Sequence, residues 1–226
     1  MNSFATVMTL LRERQQFLED IRHSVKLKRK LVGLFVSSSV FFGIYGLIIG
    51  ASSSPLQAIF SAIKLPALYL LTLIICFPTL YFFNVMFGSK QSFEQYLTLL
   101  MTAMAEISVL QLGFAPVSLF FMLSTQSYQF FKLLNVCIFA LTGFLGVKFF
   151  YSGMQFMSEK DEEGQKLRLS ILRFWLILYA FVGSQLGWTL RPFFGAPGKP
   201  FQLFRQQDSN FYLNIIESLT SLFQST

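Results

Sequence analysis

His23–Gly50, HSVKLKRKLVGLFVSSSVFFGIYGLIIG, decides how this chain folds. Lys26, Lys28, Arg29 and Lys30 stand directly before about 20 residues without a charge, enough for a helix to cross ~30 Å of hydrocarbon. Basic residues beside a span resist translocation, so these four are topology determinants that keep the leading end cytoplasmic. The orientation of everything downstream follows from this one junction.

Composition agrees. Of 226 residues, 54% are hydrophobic and 13% charged, against about 25% charged in soluble domains. Mean hydropathy is +0.55. The 29 phenylalanines fall largely in long apolar runs, as expected where lipid is the solvent. The net charge of +7 does not call for nucleic acid as a partner: seven of the eighteen Lys and Arg lie within residues 1–30, beside the first span. Cys76 and Cys137 sit in apolar runs, there is no CxxC, and His23 is the only histidine. No metal, haem or iron–sulfur site built from Cys and His is therefore expected, and no cofactor is assigned. The first apolar run is too long for the 7–15-residue core of a cleaved signal and follows ~30 polar residues, so it reads as a retained span.

Working outward, residues 3–25 place Val7, Leu10, Leu11, Phe17, Leu18, Ile21 and Val25 at threes and fours. This predicts an amphipathic helix that lies on the headgroups, packs under the bundle, or docks a partner protein. Span 1 is read as 31–51, and Ser52-Ser53-Ser54-Pro55 then breaks the helix. Residues 56–64, LQAIFSAIK, read as a separate short interfacial element. Span 2 follows at 65–87, with Pro78 expected to kink it. Ser92 and Gln95 match a capping box for the next helix. Span 3, residues 96–123, carries Glu106, Gln111 and Pro116 and should bend or break. Span 4 is 130–156 and span 5 is 167–190, with Trp175 and Trp188 as interfacial anchors. Between them SEKDEEGQK, 158–166, is expected in water.

Beyond span 5, RPFFGAPGKPFQLFR (191–205) has too many Pro and Gly for a helix and too many aromatics for a free tail. It predicts an ordered cap containing Arg191, Phe193, Phe194 and Arg205. A last amphipathic helix with a stripe of Tyr212, Ile215, Ile216, Leu219, Leu222 and Phe223 should lie in the interface. The fold class is thus an all-α polytopic membrane bundle of about five transmembrane helices with N- and C-terminal amphipathic helices. Three parts follow: a basic N-terminal region to residue 30, the bundle at 31–190, and the non-cytoplasmic cap with its helix at 191–226. Eleven cations fall on the inner side of this map and five on the outer, favouring a cytoplasmic N-terminus and an opposite C-terminus.

The chemical candidates are polar groups within spans: Glu106, Lys148, Arg173 and Gln185. A charge at mid-bilayer costs roughly 2.5–3.5 kcal/mol on insertion scales, so each needs a partner or water. At 1.5 Å per residue, Glu106 lies ~15 Å and Lys148 ~12 Å from the inner side, which matches them as an ion pair between neighbouring helices. Arg173 is shallow enough to snorkel or to be the alternative partner. No GxSxG, HExxH, P-loop or GxGxxG is present, and catalysis is not expected.

Five spans, an amphipathic N-terminus and a proline-containing second span resemble the Yip1-like membrane proteins over roughly residues 30–190. The block LRPFFGAPGKPFQLFR with NFY (190–212) is similar to the C-terminal signature of a Yip1-like group of bacterial, including cyanobacterial, membrane proteins. That resemblance implies a bacterial inner-membrane or thylakoid location and brings no activity. The expected function is a non-enzymatic scaffold or accessory subunit in the lipid bilayer, contacting other membrane proteins or copies of itself. The alternative is a small-solute or proton transporter using Glu106 and Lys148.

Overall fold

The computed structural model describes residues 3–125, 127–158, 162–195, 202–204, 213 and 220. Among these the chain is helical throughout its regular structure. Its helices are α1 (Ser3–Arg12), α2 (Arg14–Arg22), α3 (Leu27–Ala51), α4 (Pro55–Met86), α5 (Phe93–Ser124), α6 (Tyr128–Met157) and α7 (Glu162–Thr189). Five of them, α3 to α7, are long and apolar enough to cross a membrane. The architecture is that of an integral membrane protein, and four of the five spans fall where their apolar runs place them.

Span 2 differs. Residues 56–64 are not a separate interfacial element: they form the first turns of α4, which runs unbroken through Pro66 and Pro78. Ser54 accepts from the Gln57 amide at 3.1 Å and Pro55 occupies the first turn, so the chain reverses sharply after α3 and starts α4 at once. The polar side of this segment faces protein. Gln57, Ala58 and Ser61 are buried against Gly46 and Gly50 of α3. A Cβ on Gly50 would lie 2.6 Å from the Gln57 carbonyl oxygen, and one on Gly46 would strike the Ser61 carbonyl. Only glycine lets the two backbones come this close.

The Ser92–Gln95 capping box forms as read, and α5 continues through Pro116 without a break. α5 is the central helix, packed on α3 and α6. Gly146 and Gly153 of α6 admit the side chains of Ile107 and Leu99. α7 lies on α4, held by buried Leu172 and Trp175. Trp175 is therefore not an interfacial anchor. Its ring packs on Phe150 and its Nε1 donates to the Cys76 carbonyl at 3.0 Å. The opposite side of α7 is bare, with Phe174 71% and Ile177 69% exposed.

The N-terminal region is two helices, not one, divided at Glu13. The first of them, α1, does not lie beneath the bundle. Thr6 packs on Gly33, and the Phe4 ring sits 5.8 Å from Phe41, fourteen residues along α3 from its start. At 1.5 Å per residue that is ~20 Å up the helix, so α1 climbs the flank of α3. Its sequence permits this, since Ser3–Leu11 holds no charge. α2 then returns to the base, burying Phe17, Leu18 and Ile21. Ser24 and Lys26 turn the chain into α3 with left-handed backbone angles.

Lys26, Lys28 and Arg29 are exposed, whereas Lys30 locks α2 to α3. Its Nζ donates to Asp20 Oδ2 at 2.5 Å and stands 4.6 Å over the Phe17 ring. The bond to Lys30 holds the Asp20 carboxyl below its ordinary value of 3.8. A carboxyl depressed on folding contributes fully above the ordinary value and loses that contribution as pH falls through the folded one. Spin labels at exposed Gln16 and Phe93 should therefore separate below about pH 4. Asp20→Asn should show the separated distance already at neutral pH and no further acid change. A parent distance constant from neutral pH down to this range would refute the lock.

The predicted C-terminal helix, its apolar stripe, and the acidic residues Glu159 and Asp161 lie outside the described residues; Leu213 and Thr220 are helical.

Candidate functional site: Glu106, Arg14 and the polar seam of α5

Three polar clusters follow one another along α5. Nearest the start of the helix, Gln95 Nε2 donates to the carbonyls of Ile21 (3.2 Å) and Arg22 (2.8 Å), fixing the end of α2 to the base of the bundle. In the middle, Gln111 Nε2 donates to Tyr69 Oη at 2.6 Å and reaches Thr142 Oγ1 at 3.4 Å, joining α5 to α4 and α6. Further along, Tyr45 Oη donates to Asn135 Oδ1 at 2.7 Å and pairs with Ser118 Oγ at 2.9 Å, joining α3, α5 and α6. Asn135 Nδ2 returns its proton to the Phe131 carbonyl at 2.9 Å. Gln95, Gln111, Tyr45, Ser118, Asn135 and Thr142 are buried and Tyr69 is half-buried, and each makes at least one bond to another helix or to its own backbone, whereas Gln111 Oε1 is buried with no partner among the described residues.

Glu106 stands between the first and second clusters. It is half-buried, and its Oε2 is buried without a hydrogen-bond donor among the described residues. The expected ion pair with Lys148 is not among those formed: Lys148 is exposed on α6. The reason is angular. Neighbouring Phe149 is the residue that α6 turns inward, and consecutive helical positions diverge by about 100°. Matching depth did not match direction. The cation whose charge reaches Glu106 is Arg14 of α2, whose guanidinium lies 4.2 Å over the Phe149 ring. In the sequence Arg14 is one of the charges between the apolar positions of the 3–25 helix. The uncharged stretch before Arg12 was the one signal that this region could enter the bilayer.

Arg173 is exposed and turns to Tyr151, with Nη2 3.1 Å and Nε 3.3 Å from its hydroxyl. Gln185 is half-buried on α7, away from both. The structure therefore scatters the four candidates and brings only Glu106 toward a cation, one from another helix.

The bundle end opposite the N-terminal helices carries the cap. Gln57 Nε2 donates to the Pro192 carbonyl at 2.8 Å, Ser61 Oγ to Phe193 at 2.6 Å, Ser52 Oγ to Phe194 at 3.3 Å and Tyr128 Oη to Gly195 at 2.7 Å. Four successive carbonyls of an irregular segment are thus satisfied by side chains of α4, α6 and the turn between α3 and α4. Phe193 is buried and Phe194 meets Phe131 edge-to-face at 6.1 Å. Lys64 donates to the Leu203 carbonyl with its Nζ 4.9 Å over Phe204, and the Arg191 guanidinium stacks 3.3 Å over Trp188. Arg205 lies outside the described residues.

Among the described residues no three His, Cys, Asp or Glu come together in a way that could hold a metal. No protein-family model matches the chain, and no curated protein or solved structure matches it either.

Proposed function

We propose that the chain is a non-enzymatic integral membrane scaffold or accessory subunit that holds other membrane proteins, or further copies of itself, through its outward apolar faces. The observation that carries this reading is how the interior polar groups are used. The clusters at Tyr45, Gln111 and Gln95 tie this chain's own helices together rather than lining a path. What is left facing outward is large and apolar: Phe174, Ile177 and Phe181 on α7, and Phe4, Met8 and Leu11 on α1. α7 rests mainly on one neighbour, which leaves its far side free for a partner helix. The charge tally supports a cytoplasmic N-terminus and an opposite C-terminus, and the Yip1-like outline supports a bacterial inner-membrane or thylakoid setting. Purification in mild detergent tests the reading. It is expected to yield a stoichiometric complex with another membrane protein or a stable homo-oligomer, lost on Phe174→Ser with Ile177→Ser. A lone monomer under all mild conditions would overturn it.

A second reading is favoured by one observation, the buried Glu106 Oε2 that lacks a donor. In this reading the chain moves protons or a small solute, with Glu106 as the carrier and Arg14, rather than Lys148, as its counter-charge. Glu106→Gln should then abolish flux in proteoliposomes while the thermal midpoint stays at the parent value. Unchanged flux, or a fall in midpoint that accounts for lost flux, would sink it.

A further inference from the structure

At the end of the bundle where α4 and α6 finish and α5 and α7 begin, a cavity of about 250 Å³ opens between the tip of α2, the α4–α5 turn and the foot of α7. Arg22, His23, Lys90 and Arg168 line it, with Ser89 and Gln91, and among the described residues no lining side chain is acidic. The walls are pinned to one another. Gln95 holds the Arg22 carbonyl, and Arg168 Nη1 donates to the Phe87 carbonyl at 3.2 Å. Gly88, at φ +79°, keeps the turn slim where the Arg168 guanidinium passes. One acceptor stands among these donors. Gln91 Oε1 is buried and receives no hydrogen bond among the described residues.

We propose that this cavity binds a phosphate ester that carries a free hydroxyl. This is the chemistry of a glycerol-phosphate headgroup, presented either by phosphatidylglycerol in the membrane or by soluble glycerol phosphate. The two guanidinium forks match phosphate oxygens, which accept two parallel N–H bonds. The ligand hydroxyl supplies the donor that Gln91 lacks. The cavity also lies where the spans end, at the level of lipid headgroups, and basic pockets between helices at that level are suited to anionic lipids.

The full-length protein in a neutral detergent provides the test, read by native mass spectrometry and by thermal midpoint. Phosphatidylglycerol is expected to stay bound and raise the midpoint, and phosphatidylcholine is not. Arg22→Gln with Arg168→Gln should weaken binding about twenty-five-fold, a factor of about five for each cation. Gln91→Leu should reduce the preference for phosphatidylglycerol over phosphatidic acid without weakening phosphate binding. Lys28→Gln with Arg29→Gln, outside the cavity, should bind as the parent does. Stabilisation by glycerol 3-phosphate in water assigns the soluble source, and stabilisation by the lipid alone assigns the headgroup. Three results would overturn the proposal. One is equal binding of phosphatidylcholine. The second is an equal loss in the Lys28 and Arg29 variant. The third is binding seen only after Glu159, Asp161, Glu162 and Glu163 are neutralised.

Discussion

Gly46→Leu should lower the stability of the bundle by at least about 3 kcal/mol, the upper end of ordinary overpacking costs. The usual cost is moderated because a crowded side chain can rotate away. Here the obstacle is the Ser61 carbonyl of the facing helix, which cannot move without shifting α4. Separating α3 from α4 would also pull Gln57 and Ser61 from the cap carbonyls, so damage in one place spreads to another. Gly113→Ala is the control. Nothing lies within 4 Å of its Cβ position, and a helix-interior Gly→Ala change gains up to ~1 kcal/mol in helix propensity. The pair is read as thermal midpoints in one detergent. Equal midpoints for Gly46→Leu and the parent would mean the close α3–α4 contact does not exist.

Trp175→Ala should release α7. Removing a buried tryptophan costs about 3 kcal/mol or more in soluble cores, and tenfold in an equilibrium corresponds to about 1.4 kcal/mol. The docked fraction of α7 should then fall roughly a hundredfold relative to the free form. A helix leaving a bundle in lipid exposes little to water, so α7 can detach whole instead of dragging the fold with it. Cysteines at Thr72 and Gly183, in a background lacking Cys76 and Cys137, report the event, since a Gly183 Cβ would lie 3.5 Å from Thr72 Cγ2. Cross-linking should be efficient in that background and largely lost with Trp175→Ala. Trp175→Phe keeps an aromatic ring at the site, loses the bond to the Cys76 carbonyl and part of the packing, and should weaken docking by about 1 kcal/mol or more, less than the alanine change. Undiminished cross-linking in the alanine variant would place the anchor of α7 elsewhere.

Spans and caps were legible in the sequence because each is written locally. A charge-free run of 20 residues has one interpretation, and Ser92 with Gln95 satisfies each other's backbone within four positions. What escaped depends on which surface faces which. Residues 56–64 read as a short interfacial element, and their polar side, Gln57, Ala58 and Ser61, faces the Gly46–Gly50 groove instead. Polarity cannot distinguish water from a neighbouring backbone. Trp175 reads as an interfacial anchor because the interface and a buried carbonyl offer its N–H the same bond. Glu106 and Lys148 agree in depth but not in angle, and only the packing of Phe149 decides the angle. Arg14 could not have been found from spacing, because its position relative to α5 and α6 rests on the ascent of α1 along Gly33.

The cap has a consequence for how the molecule is made. Gln57 and Ser61 enter the bilayer more than 130 residues before Pro192 and Phe193 are synthesised. At ~5–20 residues per second, the first helical hairpin waits on the order of ten seconds with Gln57 and Ser61 bonded only to each other and their cap carbonyls not yet made. During that interval the insertion machinery, or trapped water, has to shelter it. Residues 192–195 then act as a late clasp: the first hairpin to enter is also the last to be completed.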